Sequence, residues 1–210
     1  MNNKNVHVSE HPLIKDKMSR LRDRNTSVAD FRRLIGEIGM LLGYEAMTNI
    51  RLRPSKVRTP IAEADAMVMS HDIVFVSILR AGLGLTEGLI RLCPEAKMAH
   101  IGIYRDEETL KPVKYYARLP KDITDSLVVI ADPMLATGGS AAEAIEIMKS
   151  RGARHICFIC ILAAVKGLEY LSAAHPEIPI YIGAVDKELN SHGYLVPGLG
   201  DAGDRMFGTF

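Results

Sequence analysis

Few of the features that mark a secreted, membrane-embedded or charge-driven protein occur in this chain. Its cysteines number three, an odd count that makes no disulfide framework. Cys157 and Cys160 have CxxC spacing, but they lie inside Ile156-Cys157-Phe158-Ile159-Cys160-Ile161-Leu162, which reads as a buried strand. Positions three apart on a strand face opposite sides of the sheet, which argues against chelation or redox chemistry. The seven histidines show no zinc-like spacing, and His71, His155 and His175 read as ordinary loop or strand-end residues. No metal ligand set is expected from the chain itself.

An excess of charge is missing as well. Lys and Arg number 26 against 25 Asp and Glu, a formal net charge of +1. Non-specific nucleic-acid and membrane-surface binders carry a clear basic excess, so neither partner is expected. No apolar run is long enough to span a bilayer, and Met1-Asn2-Asn3-Lys4-Asn5 leads into no apolar signal core, which points to a cytoplasmic protein. Without a repeat, a low-complexity tract or a linker, the 210 residues are expected to form a single domain over 1–210, large enough to bury a core unaided.

What is present is an alternation of strand and helix patterns. Residues 11–24 carry Pro12 at a first helical turn and Ile14, Met18 and Leu21 on one face. Ser27-Val28-Ala29-Asp30 resembles a capping box and opens a second helix with Phe31, Leu34, Ile35, Ile38 and Leu42 on one side. Its Gly36, Gly39 and Gly43 cost helix stability and mark close approach to another helix or subunit. Residues 49–69 read as an irregular hairpin broken by Pro54 and Pro60, with Arg51, Arg53, Lys56 and Arg58 on a solvated face.

The run 73–79 is apolar throughout except for Ser77, the pattern of a strand covered on both faces. Further strands are expected at 98–104, 115–119, 127–131, 155–162 and 178–185, with helices after 84, over 141–150 and over 165–174. The charged stretch 105–112 between two strands is polar and long enough to be a mobile lid. The fold class is therefore α/β: a mostly parallel central sheet flanked by helices, with a site at the carboxyl ends of its strands. The tail 193–208 has five glycines but keeps Tyr194, Leu195, Val196, Leu199 and Phe207 as anchors, and reads as an ordered loop.

The centre of the chain is Leu127-Val128-Val129-Ile130-Ala131-Asp132-Pro133-Met134-Leu135-Ala136-Thr137-Gly138-Gly139-Ser140. A strand ends on an acid and passes through a small, hydroxyl-rich loop into a helix, whose free N–H groups make an anion the expected guest. Thr137 and Ser140 can add hydroxyl donors, and Gly138 and Gly139 let a phosphate approach the backbone.

Four motifs taken together go further: Ile78-Leu79-Arg80-Ala81-Gly82-Leu83-Gly84, Tyr104-Arg105-Asp106-Glu107-Glu108-Thr109, the 132–140 loop, and Gly198-Leu199-Gly200-Asp201-Ala202-Gly203-Asp204. In that order they resemble the uracil phosphoribosyltransferases, of the type I phosphoribosyltransferase superfamily, and the likeness extends to His11-Pro12-Leu13 and Phe207-Gly208-Thr209. The resemblance implies transfer of the 5-phosphoribosyl group from phosphoribosyl pyrophosphate (PRPP) to uracil, giving UMP and pyrophosphate. It also implies magnesium carried by PRPP, a small hood of irregular and C-terminal segments, a homodimer or homotetramer, and in some relatives GTP or CTP as effector.

Residue by residue, the resemblance implies that Asp132, Pro133, Met134, Leu135, Ala136, Thr137, Gly138, Gly139 and Ser140 hold the ribose and its 5-phosphate. Arg80 and Arg105 then contact pyrophosphate, and Leu195, Gly200, Asp201 and Ala202 hold uracil, with Asp201 also touching PRPP. Asp132, Arg80, Arg105 and Asp201 are the expected catalytic residues. Two positions depart from the pattern. Pro133 stands where many phosphoribosyltransferases have a second acid, and Ser77 where proline is expected before Ile78. Arg205 is expected to support the tail. Two readings compete with the first: a phosphoribosyltransferase for another base, and a nucleotide-sensing RNA-binding regulator on the same fold, which needs a basic face that the charge balance does not favour.

Overall fold

A computed structural model describes residues 4–105 and 112–209, without the side chains of Arg105 and Pro112. The expected lid at 105–112 thus falls mainly outside the described residues. The elements in chain order are β1 (Val6–Val8), α1 (Pro12–Arg22), α2 (Val28–Ala46), β2 (Leu52–Arg58), β3 (Glu63–Met69), β4 (Ile73–Leu79), α3 (Gly82–Leu92), β5 (Lys97–Arg105) and β6 (Pro112–Arg118). They continue with β7 (Leu127–Ala131), β8 (Met134–Leu135), α4 (Gly139–Ser150), β9 (His155–Ala164), α5 (Val165–Ala174), β10 (Ile180–Asp186), β11 (Glu188–Leu189), β12 (Leu195–Val196) and α6 (Ala202–Phe207).

The main sheet runs β1-β10-β9-β7-β4-β5-β6, with β8 added beside β9. All its pairings are parallel except β5 with β6. Period-two alternation divides the core into two layers. Val74, Val76, Ile78, Ile156, Phe158 and Cys160 face α4 and α5, whereas Ile73, Phe75, Cys157, Ile159 and Ile161 face α1, α2 and α3. Cys157 and Cys160 therefore lie on opposite faces, and burial pushes the Cys157 thiol up to about 12 and Cys160 well above its ordinary range.

The helix signals read from the sequence correspond to physical contacts. Ser27 caps α2, its hydroxyl oxygen accepting from the Asp30 N–H at 3.1 Å. The small residues of α2 meet α3: a Cβ on Gly88 would lie 2.0 Å from the Gly36 carbonyl oxygen, and one on Gly39 2.8 Å from that of Leu85. Close approach thus occurs between two helices of one chain. The hairpin of β2 and β3 forms its own two-stranded sheet.

Three segments differ from expectation. The three-residue β1 joins the sheet edge beside β10, although so short a strand leaves almost no periodicity to read. Helix α4 begins at Gly139, so Gly139 and Ser140 belong to its first turn. The tail, expected as a loop, contains α6 and the strand β12, which pairs with β11 just before the tail, and all three follow β10 in the chain. Among the described residues no helix is long and apolar enough to cross a membrane.

Candidate active site

The carboxyl ends of β4 and β7 are neighbours in the sheet, with Ser77 opposite Ala131. The loops that follow them therefore emerge side by side. Past β7, the Asp132 N–H is bonded to the Ile159 carbonyl at 3.2 Å, and the Pro133 carbonyl accepts from Ile161 and Leu162, each at 3.0 Å. Met134 and Leu135 then pair with β9, so the first half of the 132–140 loop is clamped to the sheet.

The second half turns on Gly138, whose φ of 86° is a left-handed conformation that suits glycine, and which caps α4. A Cβ there would lie 2.8 Å from the Gly167 carbonyl oxygen, and one on Gly167 2.3 Å from that of Ala136. The loop and the start of α5 are packed backbone to backbone. Thr137, Gly139 and Ser140 stay half-buried at the start of the 12-residue helix α4, where unpaired N–H groups favour an anion.

Asp132 sits at the root of this loop. Its Oδ1 accepts weakly from the Met134 N–H at 3.4 Å. The residue is partly buried, and desolvation of its carboxyl pushes its pKa up to about 7 against the weaker opposing pull of the Met134 N–H.

Arg80 follows β4 after a cis Leu79–Arg80 peptide. Its guanidinium is exposed, 3.4 Å from the Asp204 carboxylate and 5.7 Å from the centre of the Phe207 ring. The loop after β4 and the C-terminal tail therefore meet. Arg105 closes β5, and its side chain lies outside the described residues.

The tail residues take distinct places. Asp201 caps α6, its Oδ1 accepting from the Asp204 N–H at 2.9 Å. Gly200 has a φ of 80° and is exposed, Ala202 is buried at the start of α6, and Leu195 pairs with Leu189 while its side chain packs in the core. Arg205 supports the tail, as expected: it donates to the carbonyls of Leu21 and Leu199 at 2.8 and 2.7 Å and lies 4.3 Å from the Phe31 ring centre.

Sequence reasoning missed two cations here. A cavity of about 730 Å³ joins Thr137 to the segment 187–193, and Lys166 and Lys187 line it. The signal was available: Lys166 is in the first turn of α5, where a cation opposes the helix dipole unless an anion is nearby.

No group of three or more His, Cys, Asp and Glu side chains that could hold a metal occurs among the described residues. The carboxylates at these loops are separately engaged, Asp132 and Asp201 each with a backbone N–H and Asp204 with Arg80.

A family model described as uracil phosphoribosyltransferase matches residues 8–209. The chain belongs to the uracil phosphoribosyltransferase family. Among similar members, the uracil phosphoribosyltransferase of Macrococcus caseolyticus is 52% identical over 205 residues, covering 97% of this chain and 98% of that one. That of a Thermoanaerobacter species is 52% identical over 207 residues, covering 98% and 99%. A solved structure, the AQ2163 protein from Aquifex aeolicus, superposes with a TM-score of 0.92 at 40% identity, covering 97% of this chain and 98% of that one. The hypoxanthine-guanine phosphoribosyltransferase of Bacillus anthracis, at 12% identity and a TM-score of 0.50 over 75% of this chain and 80% of that one, shares the fold. For this member of the uracil phosphoribosyltransferase family, the mostly parallel sheet flanked by helices is thus the architecture anticipated from the sequence.

Proposed function

We propose that this enzyme transfers the 5-phosphoribosyl group of PRPP to uracil, giving UMP and pyrophosphate in pyrimidine salvage. Family membership supports the reaction. The observation that carries the assignment of roles is the meeting of Arg80 with Asp204, which sets a cationic turn, an anion-binding loop and a glycine-rich tail around the carboxyl ends of β4 and β7.

In this reading the 132–140 loop and the start of α4 hold the 5-phosphate, and Asp132 takes the ribose hydroxyls. Uracil N1 bonds to C1′ of the ribose as the C1′–O bond to pyrophosphate breaks, and the N1 proton passes to water or Asp201. Arg80 and Arg105 stabilise the charge that grows on the leaving group. Magnesium bound to PRPP adds to that charge neutralisation. Backbone N–H and C=O groups at Gly200, Asp201 and Ala202, with Leu195 beneath, answer the acceptor-donor-acceptor edge of uracil. Cytosine inverts part of that edge and leaves buried groups unpaired, a rejection of roughly 10⁴-fold.

Exposed Leu52, Val57, Ile61 and Met67 on the β2–β3 hairpin support a homodimer or homotetramer. The basic side chains of Arg51, Arg53, Lys56 and Arg58 support a GTP or CTP effector. A substrate as highly charged as PRPP does not cross a bilayer unaided, which supports a cytoplasmic location. The test is an assay of PRPP with uracil, cytosine, hypoxanthine, adenine and xanthine. UMP formed with uracil alone is the expected result. Product with another base, or with none, overturns the reading.

A further inference from the structure

Two buried hydroxyls tie the turn that carries Arg80 to its strand. Ser77 and Thr86 are 0% and 1% exposed, and their hydroxyl oxygens lie 2.7 Å apart. Thr86 Oγ1 also donates back to the carbonyls of Gly82 and Leu83, at 3.2 and 3.1 Å. A threonine hydroxyl has a single hydrogen. With that hydrogen shared between the two carbonyls, the hydrogen between the two hydroxyls is donated by Ser77. The bonds thus run from β4, through Thr86, to the backbone of the first turn of α3, and bracket Arg80.

Packing restrains the same turn from the other side. A Cβ on Gly82 would lie 2.5 Å from the Ala131 carbonyl oxygen and 3.3 Å from the Ser77 backbone. Ala131 directly precedes Asp132, so the Arg80 turn is held against the root of the phosphate loop as well as against its own strand. The exposed guanidinium is then a short flexible arm on a fixed base. Position 77 is also where the family resemblance leads one to expect proline, which has no hydroxyl to offer.

We propose that Ser77 and Thr86 are positioning residues for Arg80, their hydroxyl pair fixing the turn so that the guanidinium meets pyrophosphate. The proposal rests on the assignment of Arg80 to the pyrophosphate of PRPP. Neither hydroxyl touches a ligand, so the pair acts through backbone geometry. Replacing both partners of a buried hydrogen bond by apolar groups of similar shape is nearly neutral for folding, whereas removing one strands the other. The informative variant is therefore the double substitution Ser77→Ala with Thr86→Val, beside Thr86→Ser, which keeps the hydroxyl.

The experiment titrates magnesium pyrophosphate into wild type and both variants by calorimetry, and measures KM for PRPP and for uracil together with Tm. The double variant is expected to bind pyrophosphate about tenfold more weakly, the scale of one misplaced charge-assisted hydrogen bond. Its KM for PRPP should rise to match, with the uracil KM and Tm close to wild type, and Thr86→Ser should keep wild-type pyrophosphate affinity. Unchanged pyrophosphate affinity in the double variant overturns the proposal, as does a wild type that does not bind pyrophosphate. Equal losses toward both substrates with a fall in Tm also overturn it. A wild type that makes no UMP defeats the assigned reaction, while the pyrophosphate titration still decides the role of the two hydroxyls.

Discussion

Arg80 and Asp204, 124 residues apart in sequence, stand 3.4 Å apart across the junction of the β4 loop and the tail. The same Asp204 oxygen accepts from the Thr209 hydroxyl at 2.7 Å. The tail therefore supplies the Arg80 guanidinium with a carboxylate partner. Both side chains are well exposed, so the pair is weak and screened by salt, and it orients Arg80 more than it stabilises the fold.

Substitution separates those two effects. Arg80→Ala should raise KM for PRPP by about 10²-fold, as loss of a charge-assisted contact to a polyanion does, while moving the uracil KM far less. Asp204→Asn should raise the PRPP KM only a few-fold, since the guanidinium remains and only its orientation is lost. Steady-state kinetics with each substrate varied in turn checks both. Wild-type turnover in Arg80→Ala sinks the role assigned to that residue.

Asp132 gives the enzyme a pH signature. Burial holds its pKa near 7, above the ordinary 3.8 of an unfolded chain. An acid raised on folding contributes stability that is fully present below the unfolded value and is lost as pH rises through the folded one. Chemical denaturation from pH 4 to 8 should show wild type losing stability relative to Asp132→Asn across that window, with the difference levelling off above about pH 7. Ribose hydroxyls donate best to the ionised carboxylate, so PRPP affinity should rise through the same pH in wild type and stay flat in Asp132→Asn. An Asp132→Asn difference that does not vary with pH removes the buried acid from both arguments.

The α2–α3 contact makes opposite demands on two glycines. Alanine at Gly88 would place a Cβ 2.0 Å from the Gly36 carbonyl oxygen, a backbone atom that cannot swing away. Alanine at Gly36 meets nothing nearer than 3.7 Å. Gly88→Ala should cost about 3 kcal/mol or more through forced separation of the helices, whereas Gly36→Ala should gain up to about 1 kcal/mol from helix propensity. Urea unfolding midpoints decide between them.

The parts legible in the sequence are those whose cause is local. Ile73–Leu79 reads as a buried strand because both its faces are apolar, and α2 reads as a helix because Ser27 and Asp30 cap it and one stripe is apolar. The 132–140 loop is likewise a contiguous strand end, turn and helix start. What could not be read depends on residues far apart along the chain. Three-residue β1 is a strand only because β10 lies beside it. Helix α6 is hidden in a glycine-rich tail, and its cap, Asp201, also carries an expected substrate role. Ser77 was legible as a departure from the family, but its partner Thr86 lies on the following helix and appears only with the fold.

The strongest such long-range device is the pair of Arg22, ending α1, with Asp186, ending β10. Asp186 is 5% exposed, and both its oxygens accept from Arg22, at 2.9 and 2.7 Å. Its Oδ2 also accepts from the Gly198 N–H at 2.8 Å, while Arg22 donates to the Gly198 carbonyl at 2.7 Å. Side chains from two elements thus hold the backbone just before Gly200. Arg22→Met strands a buried carboxylate and should cost about 3–5 kcal/mol. Arg22→Lys cannot reproduce the two-pronged contact and should recover only part of that. Asp186→Asn keeps an acceptor for Arg22 and an amide in place of the charge, so it should lose less stability than Arg22→Met. Because the pair holds the segment leading into the proposed uracil site, each variant that folds should raise the uracil KM more than the PRPP KM. Equal effects on both substrates would make the pair a support of the whole domain and take away its particular hold on the tail.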